Sequence, residues 1–526
     1  MRHLSAGIGY LKQPISAILK LPIQAPSAMP ASHLNQIIAA LPLRRGTTEP
    51  LFRQLYAAIK AAILDGRMSP GMQLPPTRDF CRLLAVSRQT VLNAYAQLAA
   101  EGYLDGAVGR GTFVSRDVPL SVPVAAPAGK MDAPGLLRPL SARGQGVVAA
   151  MRQVAFHRGP LRAFRVGMPR IDHFPFDVWN RLEARRWRRP DHQFGYSDPA
   201  GYLPLRELLC VYLKASRGVQ CTPQQIVITS GSQQALFLLS TILLAPGDAA
   251  WMESPGYRGA SGPLRAAGAR VFPVPVDAQG LDVAYGVAHC PQAKLAYVTP
   301  SHQMPLGVSM SLPRRLALLA WAAHNKAWLV EDDYDSEYRY TGAPLASLQS
   351  LDRDGCVVYV GTLSKVLFPG LRLGYMVAPP ALAEALVQAK AVMDRHTAIV
   401  PQMALADFIA EGHFGRHIRR TRDSNAERRD LLVRGLAREL DDQLLCGPAD
   451  SGLELCAYFR AGHDEETVSR AGLERGIELR PLGHYADPAA GPACATPPGL
   501  LLGFAAIAPA EMAHGLLELG RLLRGR

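Results

Sequence analysis

The eight cysteines of this 526-residue chain (Cys81, Cys210, Cys221, Cys290, Cys356, Cys446, Cys456 and Cys494) include no C-x-x-C pair. That excludes a dense disulfide scaffold and points to reduced, mostly buried thiols. No uninterrupted apolar stretch of about 18 residues occurs, so no transmembrane helix and no membrane partner are expected. The opening MRHLSAGIGYLKQPISAILKLPIQ scatters basic residues and prolines and has no continuous apolar segment suited to a signal peptide. A cytoplasmic protein is the expectation. No repeat of fixed period appears. Apolar residues make up 48% and charged residues 19%, the usage of an ordinary folded protein. At roughly 150 residues per domain the length implies about three units, too much for a single binding module.

Charge is present but unevenly placed. Residues 1–130 hold 14 basic and 6 acidic residues, so a quarter of the length carries more than half of the net +13. An anionic partner for the N-terminal part follows. Residues 1–46 have little periodicity and read as a poorly ordered tail, with a short helix near HLNQIIAAL as its one candidate element. Residues 47–116 are densely patterned. Residues 117–160 begin with a proline-rich stretch and read as a linker. From 161 to 526, strand-like runs alternate with helical patterns.

In the patterned N-terminal module, Leu51, Leu55, Ile59 and Ile63 mark one face of a helix ending at Asp65-Gly66. Thr77 can cap a second helix through Leu84. Ala85-Val86-Ser87 makes the turn, and Ser87 can cap a third helix running to Glu101. On this third helix Val91, Ala94, Tyr95 and Leu98 share the inward face. Ser87, Arg88, Gln89, Thr90 and Asn93 are left outward, as residue types that reach phosphates and base edges. EGYLDGAVGRGTFV reads as two short strands around a Gly-rich tip, a wing able to approach a groove. Over its whole length, PLFRQLYAAIKAAILDGRMSPGMQLPPTRDFCRLLAVSRQTVLNAYAQLAAEGYLDGAVGRGTFV resembles the winged helix-turn-helix of GntR-type transcription regulators. The resemblance implies that Arg78, Ser87, Arg88, Thr90 and the wing residues Gly109 and Arg110 contact double-stranded promoter DNA.

In the large region the strand candidates are IVIT (226–229), AAWM (249–252), LAYVT (295–299), AWLV (327–330) and CVVYV (356–360), alternating with helices such as 312–324. This order predicts an α/β unit with a mostly parallel sheet covered on both faces, whose ligands bind beyond the strands' carboxyl ends. Ser230, Gly231, Ser232 and a helix follow the first run, a phosphate cradle at a helix N-terminus. Glu331-Asp332-Asp333-Tyr334 follow the fourth, and Gly361-Thr362-Leu363-Ser364-Lys365 the fifth, with Arg372 seven residues on. A phosphate cradle, an aspartate, a tyrosine and a lysine are what pyridoxal 5'-phosphate (PLP) requires. Lys365 would form the Schiff base, Asp332 would keep the pyridine nitrogen protonated, and Tyr334 would hydrogen-bond the ring phenolate. A calcium loop at Asp333, Asp335 and Glu337 is excluded, because Tyr338 and Pro344 stand at its glycine and glutamate positions. The S-x-x-K pattern of serine nucleophiles fails at Thr362.

FRVGMPRIDHFPFDVWNRL, YSDPAGYLPLRELL, TSGSQQAL, TPSHQMPLG, EDDYDSEYRY and GTLSKVLFPGLRLGY together resemble the fold-type I aminotransferases across roughly residues 164–520. Joined to the DNA-binding module, the chain resembles the MocR group of GntR regulators. That implies a fold-type I PLP-dependent transferase domain with a smaller α+β C-terminal subdomain, acting as cofactor and effector sensor. The same resemblance implies that Tyr257 stacks on the pyridine ring, that Ser230, Gly231, Ser232, Thr362, Ser364 and Arg372 surround the phosphate, and that Tyr196 reaches a phosphate across a homodimer. Two departures stand out. Met304-Pro305-Leu306-Gly307 lacks the family's Asn and Thr, and GLLLGFAAI is apolar where many enzymes place a carboxylate-clamping arginine, leaving Arg258 or Arg480 as substitutes. The expected function is a PLP-dependent transcriptional regulator sensing PLP itself, an amino acid or an amine. The alternatives are a working aminotransferase with an auxiliary DNA-binding module, or a cofactor-free dimerisation scaffold.

Overall fold

A computed structural model describes residues 31–107, 111–118, 139–151, 159–190, 192–342, 345–460, 462–487 and 490–525. The chain divides between residues 137 and 138 into two compact units.

The N-terminal unit is built from helices α1 (Ala31–Ala39), α2 (Leu51–Leu64), α3 (Thr77–Leu84) and α4 (Arg88–Ala100). Strands β1 (Gln73–Leu74), β2 (Leu104–Ala107) and β3 (Gly111–Val114) form an antiparallel sheet in the order β1-β3-β2. The expected inward positions make the core: Leu55, Ile59, Val91, Ala94 and Leu98 are wholly buried, with Phe80 against Tyr95 edge-to-face. Ala85, in the left-handed region at φ 50°, ends α3 and turns the chain into α4. Two expectations need correction here. Of the expected tail, residues 1–30 lie outside the described residues and the short helix expected near HLNQIIAAL is α1, but residues 31–46 do not trail: Ile38 and Leu41 are buried in the same core, and Arg45 donates to the Ala85 carbonyl at 2.7 Å. Burying two apolar side chains is reason enough to hold α1 in place. The residue preceding α3 is Pro76 rather than Thr77, and no side chain caps that end.

In the C-terminal unit a helix, Ala142–Met151, lies inside the stretch read as linker. Eight strands form the main sheet: β4 (Ile226–Thr229), β5 (Ala249–Ser254), β6 (Arg270–Asp277), β7 (Gly280–Leu281), β8 (Leu295–Val298), β9 (Trp328–Asp333), β10 (Val357–Thr362) and β11 (Gly374–Val377). Their order is β4-β11-β10-β9-β8-β5-β6-β7, with β11 antiparallel to both neighbours, β7 antiparallel to β6 and the other pairs parallel. The central strands β5, β8 and β10 are buried along their whole length, on both faces. Ile226 and Ile228 pack into one helical layer and Val227 into the other, as alternation along a strand requires. A smaller subdomain follows the helix His413–Glu439. It carries β12 (Leu444–Cys446), β13 (Glu454–Phe459), β14 (Arg480–Pro481) and β15 (Gly499–Gly503), all antiparallel in the order β12-β13-β15-β14. The predicted fold class is observed.

Candidate functional site

Chemistry gathers at the carboxyl ends of β4, β9 and β10, and the strands themselves reach farther than sequence suggested. β9 runs on to Asp333 and β10 to Thr362, so the acidic run is part of a strand and its side chains alternate between faces. Glu331 and Asp333 turn one way. Glu331 accepts from the backbone N–H groups of Leu348 and Gln349 (2.7 and 2.9 Å), and Asp333 accepts from Arg217 (3.1 Å) and Tyr359 (2.6 Å). Asp332 turns the other way, where the Tyr297 hydroxyl donates to its Oδ2 at 2.7 Å. Its Oδ1 is buried with no hydrogen-bond partner among the described residues. Burial pushes the Asp332 carboxyl up to about 7, against the Tyr297 hydrogen bond.

Lys365 is half-buried just past β10, and its Nζ donates to the Gly167 carbonyl at 2.6 Å. Gly167 has φ 74°, and a Cβ there would stand 2.7 Å from Nζ, so only glycine lets the backbone approach so closely. The lysine backbone is held from behind by the Tyr338 hydroxyl, which donates to its carbonyl at 3.2 Å.

The residues expected to cradle a phosphate gather around the start of the helix Ser232–Leu243. Gly231 precedes that helix at φ 95°, and Arg372 lies against it, so that a Cβ at 231 would meet the guanidinium at 3.2 Å. Arg372 donates to the Ser230 carbonyl at 2.5 Å, and the Ser364 N–H donates to Thr362 Oγ1 at 3.2 Å. A helix start, hydroxyls and a guanidinium are groups able to receive an anion. Tyr257 is half-buried nearby. Burial and then the Asp332 charge push its hydroxyl up to about 12.

Tyr334 and Tyr196 are placed differently from the rest. The Tyr334 hydroxyl lies 3.0 Å from His302 Nδ1, and that nitrogen lies 3.0 Å from Asp335. Burial lowers the His302 ring, but the Asp335 charge and hydrogen bond outweigh it and the net shift is upward. Tyr196 is 92% exposed and stands apart from this group within the single chain. Sequence reading missed Gly167, Tyr297, His302, Asp335 and Glu454. Glu454 is a buried carboxylate of β13 that accepts from the Gly167 N–H at 3.2 Å. The segment of β15 read as apolar is so, with Leu500, Leu501 and Leu502 wholly buried. Of the substitute arginines, Arg258 donates to the Ala486 carbonyl at 3.0 Å and Arg480 sits opposite Leu501 in the small sheet.

In the N-terminal unit, Ser87 Oγ accepts from the Thr90 N–H at 3.1 Å and caps α4. Arg88, Gln89 and Asn93 are exposed along the start of α4, and Arg78 is exposed near the start of α3. Gly109 and Arg110 lie outside the described residues.

Residues 51–114 match the bacterial regulatory proteins of the gntR family, and residues 166–494 match aminotransferase class I and II. Over 91% of its length the chain is 40% identical to the probable rhizopine catabolism regulatory protein MocR of Rhizobium meliloti, covering 95% of that protein. The chain belongs to the MocR group of GntR-family transcription regulators. As a MocR-group protein it joins a DNA-binding domain to an aminotransferase-like domain and regulates transcription; the reading as a working aminotransferase is not favoured. A second relative is the pyridoxine biosynthesis transcriptional regulator PdxR of Corynebacterium glutamicum, 32% identical over 85% of this chain and 92% of that one. Among solved structures, the α-aminoadipate aminotransferase LysN of Thermus thermophilus, complexed with N-(5'-phosphopyridoxyl)-L-leucine, matches with a TM-score of 0.63 and 30% identity. That match covers 72% of this chain and 94% of LysN. No helix among the described residues of this MocR-group chain is long and apolar enough to cross a membrane.

Proposed function

We propose that the protein is a cytoplasmic, homodimeric regulator that holds PLP at Lys365 and changes its grip on promoter DNA with the state of that site. The observation that carries this reading is Asp332 Oδ1, a buried carboxylate oxygen without a partner. A protonated ring nitrogen would satisfy it, in a site that also offers an amine and an anion cradle. Bound there, PLP supplies an aldehyde that reacts with amines. Lys365 provides the amine that tethers it. Asp332 fixes the ring nitrogen, Tyr257 covers the ring, and Ser230, Gly231, Ser232, Thr362, Ser364 and Arg372 hold the phosphate. Tyr196, exposed in one chain, suits a contact to the phosphate of a second copy. Arg78, Ser87, Arg88 and Thr90, with Gly109 and Arg110 of the wing, bind DNA.

Effector binding shifts DNA affinity only if the effector prefers one arrangement of the protein over another. Purified protein titrated with PLP is expected to gain a visible absorbance band that Lys365→Ala lacks, and borohydride trapping should mark Lys365 in the peptide map. DNA affinity is then compared for PLP-free and PLP-loaded protein, with and without amines. Identical affinity in every state would defeat the sensing role.

A further inference from the structure

The chemistry of the effector is written on one face of the small sheet, given that Lys365 carries PLP as proposed above. β13 and β15 pair Glu454 with Gly503 and Cys456 with Leu501. Alternate residues of a strand share a face, so Glu454, Cys456 and Leu501 stand side by side. That face is turned toward the lysine. Glu454 accepts from the Gly167 N–H at 3.2 Å, and the carbonyl of the same glycine accepts from Lys365 Nζ at 2.6 Å. Cys456 Sγ donates to the Pro305 carbonyl at 3.0 Å, and the sulfur of neighbouring Met304 lies 3.8 Å from the Tyr334 hydroxyl. Leu501, Cys456 and Leu482 are buried there, with Val166 and Leu306 packed on them.

This wall is therefore acidic where it meets the reactive amine and apolar beyond. Glu454 is 3% exposed; burial raises its carboxyl, and the charges of Lys365 and His302 act against that while Asp335 adds to it. The arginine on the same face, Arg480, is carried by β14, on the far side of β15 from Glu454. An α-amino acid presenting its nitrogen at the Lys365 position would bring its carboxylate two bonds away, against Glu454 and the leucines. Like charges at short range in a buried site repel strongly. The nearby Gly167 N–H is already occupied by Glu454. We propose that the effector is an amine with no carboxylate on its amine-bearing carbon, and that Glu454 is the residue that rejects α-amino acids.

The test uses full-length, PLP-loaded protein and two matched pairs, ethanolamine with L-serine and cadaverine with L-lysine. Affinity is read by calorimetry and by the change in the PLP absorbance band. Each decarboxylated member is expected to bind about tenfold tighter or more than its amino acid, and Glu454→Gln should narrow the ratio to about threefold or less. Retention of the PLP band in that variant shows that it folds. Leu501→Arg gives a second reading and should improve L-serine binding by about tenfold. Equal or tighter binding of the amino acids, no response to either decarboxylated amine, or an unchanged ratio in Glu454→Gln overturns the proposal. Failure of the underlying PLP reading looks different, because the band and the borohydride label at Lys365 are then missing before any amine is added.

Discussion

At the residue scale, three neighbouring carboxylates are separated by strand alternation alone. Glu331 and Asp333 spend their oxygens on backbone amides, an arginine and a tyrosine, while Asp332 keeps one oxygen unengaged. The carboxyl of Asp332 stands near pH 7 in the folded chain against about 4 unfolded, so the fold favours its neutral form. Its contribution to stability is complete below about pH 4 and is lost as the pH rises toward 7. PLP-free Asp332→Asn should therefore gain stability relative to the parent over that interval, on the order of 4 kcal/mol at most, as measured by chemical denaturation at a series of pH values. The same variant should bind PLP more weakly, because the amide cannot carry the charge that holds a pyridinium. At the other end of the chain, exposed Arg88 is expected to act through phosphate or base contact. Arg88→Ala should weaken DNA binding and, if the contact is to phosphate, lower the salt slope by about one, with the PLP band unchanged.

At the scale of elements, the sequence was most legible where a period and a punctuation residue coincide. The run 226–229 and the inward face of α4 are observed as expected, because apolar residues there recur at the period of their element. β9 and β10 end three and two residues beyond the apolar runs 327–330 and 356–360, since acidic and small residues carry little strand signal even when a ladder partner holds them in register. Glu454 was invisible because its partner Gly167 lies 287 residues away in sequence, and nothing local marks the pairing. α1 showed only a faint amphipathic pattern, yet Ile38 is wholly buried against the helix-turn-helix core. Ile38→Ala is expected to destabilise the N-terminal unit by about 2–5 kcal/mol, seen as a lower midpoint for its unfolding, with the PLP-binding unit unaffected.

At the scale of the whole molecule, one recognition helix per chain and a tyrosine exposed beside the effector fold both suit a two-copy assembly. Sedimentation should give twice the chain mass, and an operator cut to one half-site should lose most of its affinity in a gel-shift titration. Tyr196→Ala should then weaken PLP binding in the dimer while leaving the DNA-binding unit intact, which a PLP titration followed by a gel shift would separate.

The short relay from Lys365 through the two polar groups of Gly167 to Glu454 joins the large sheet to the small one, beside contacts such as Cys456 to the Pro305 carbonyl. Any ligand that engages the lysine nitrogen takes from that glycine carbonyl its donor. Occupancy of the lysine therefore frees the Gly167 carbonyl while the N–H of the same residue stays with Glu454.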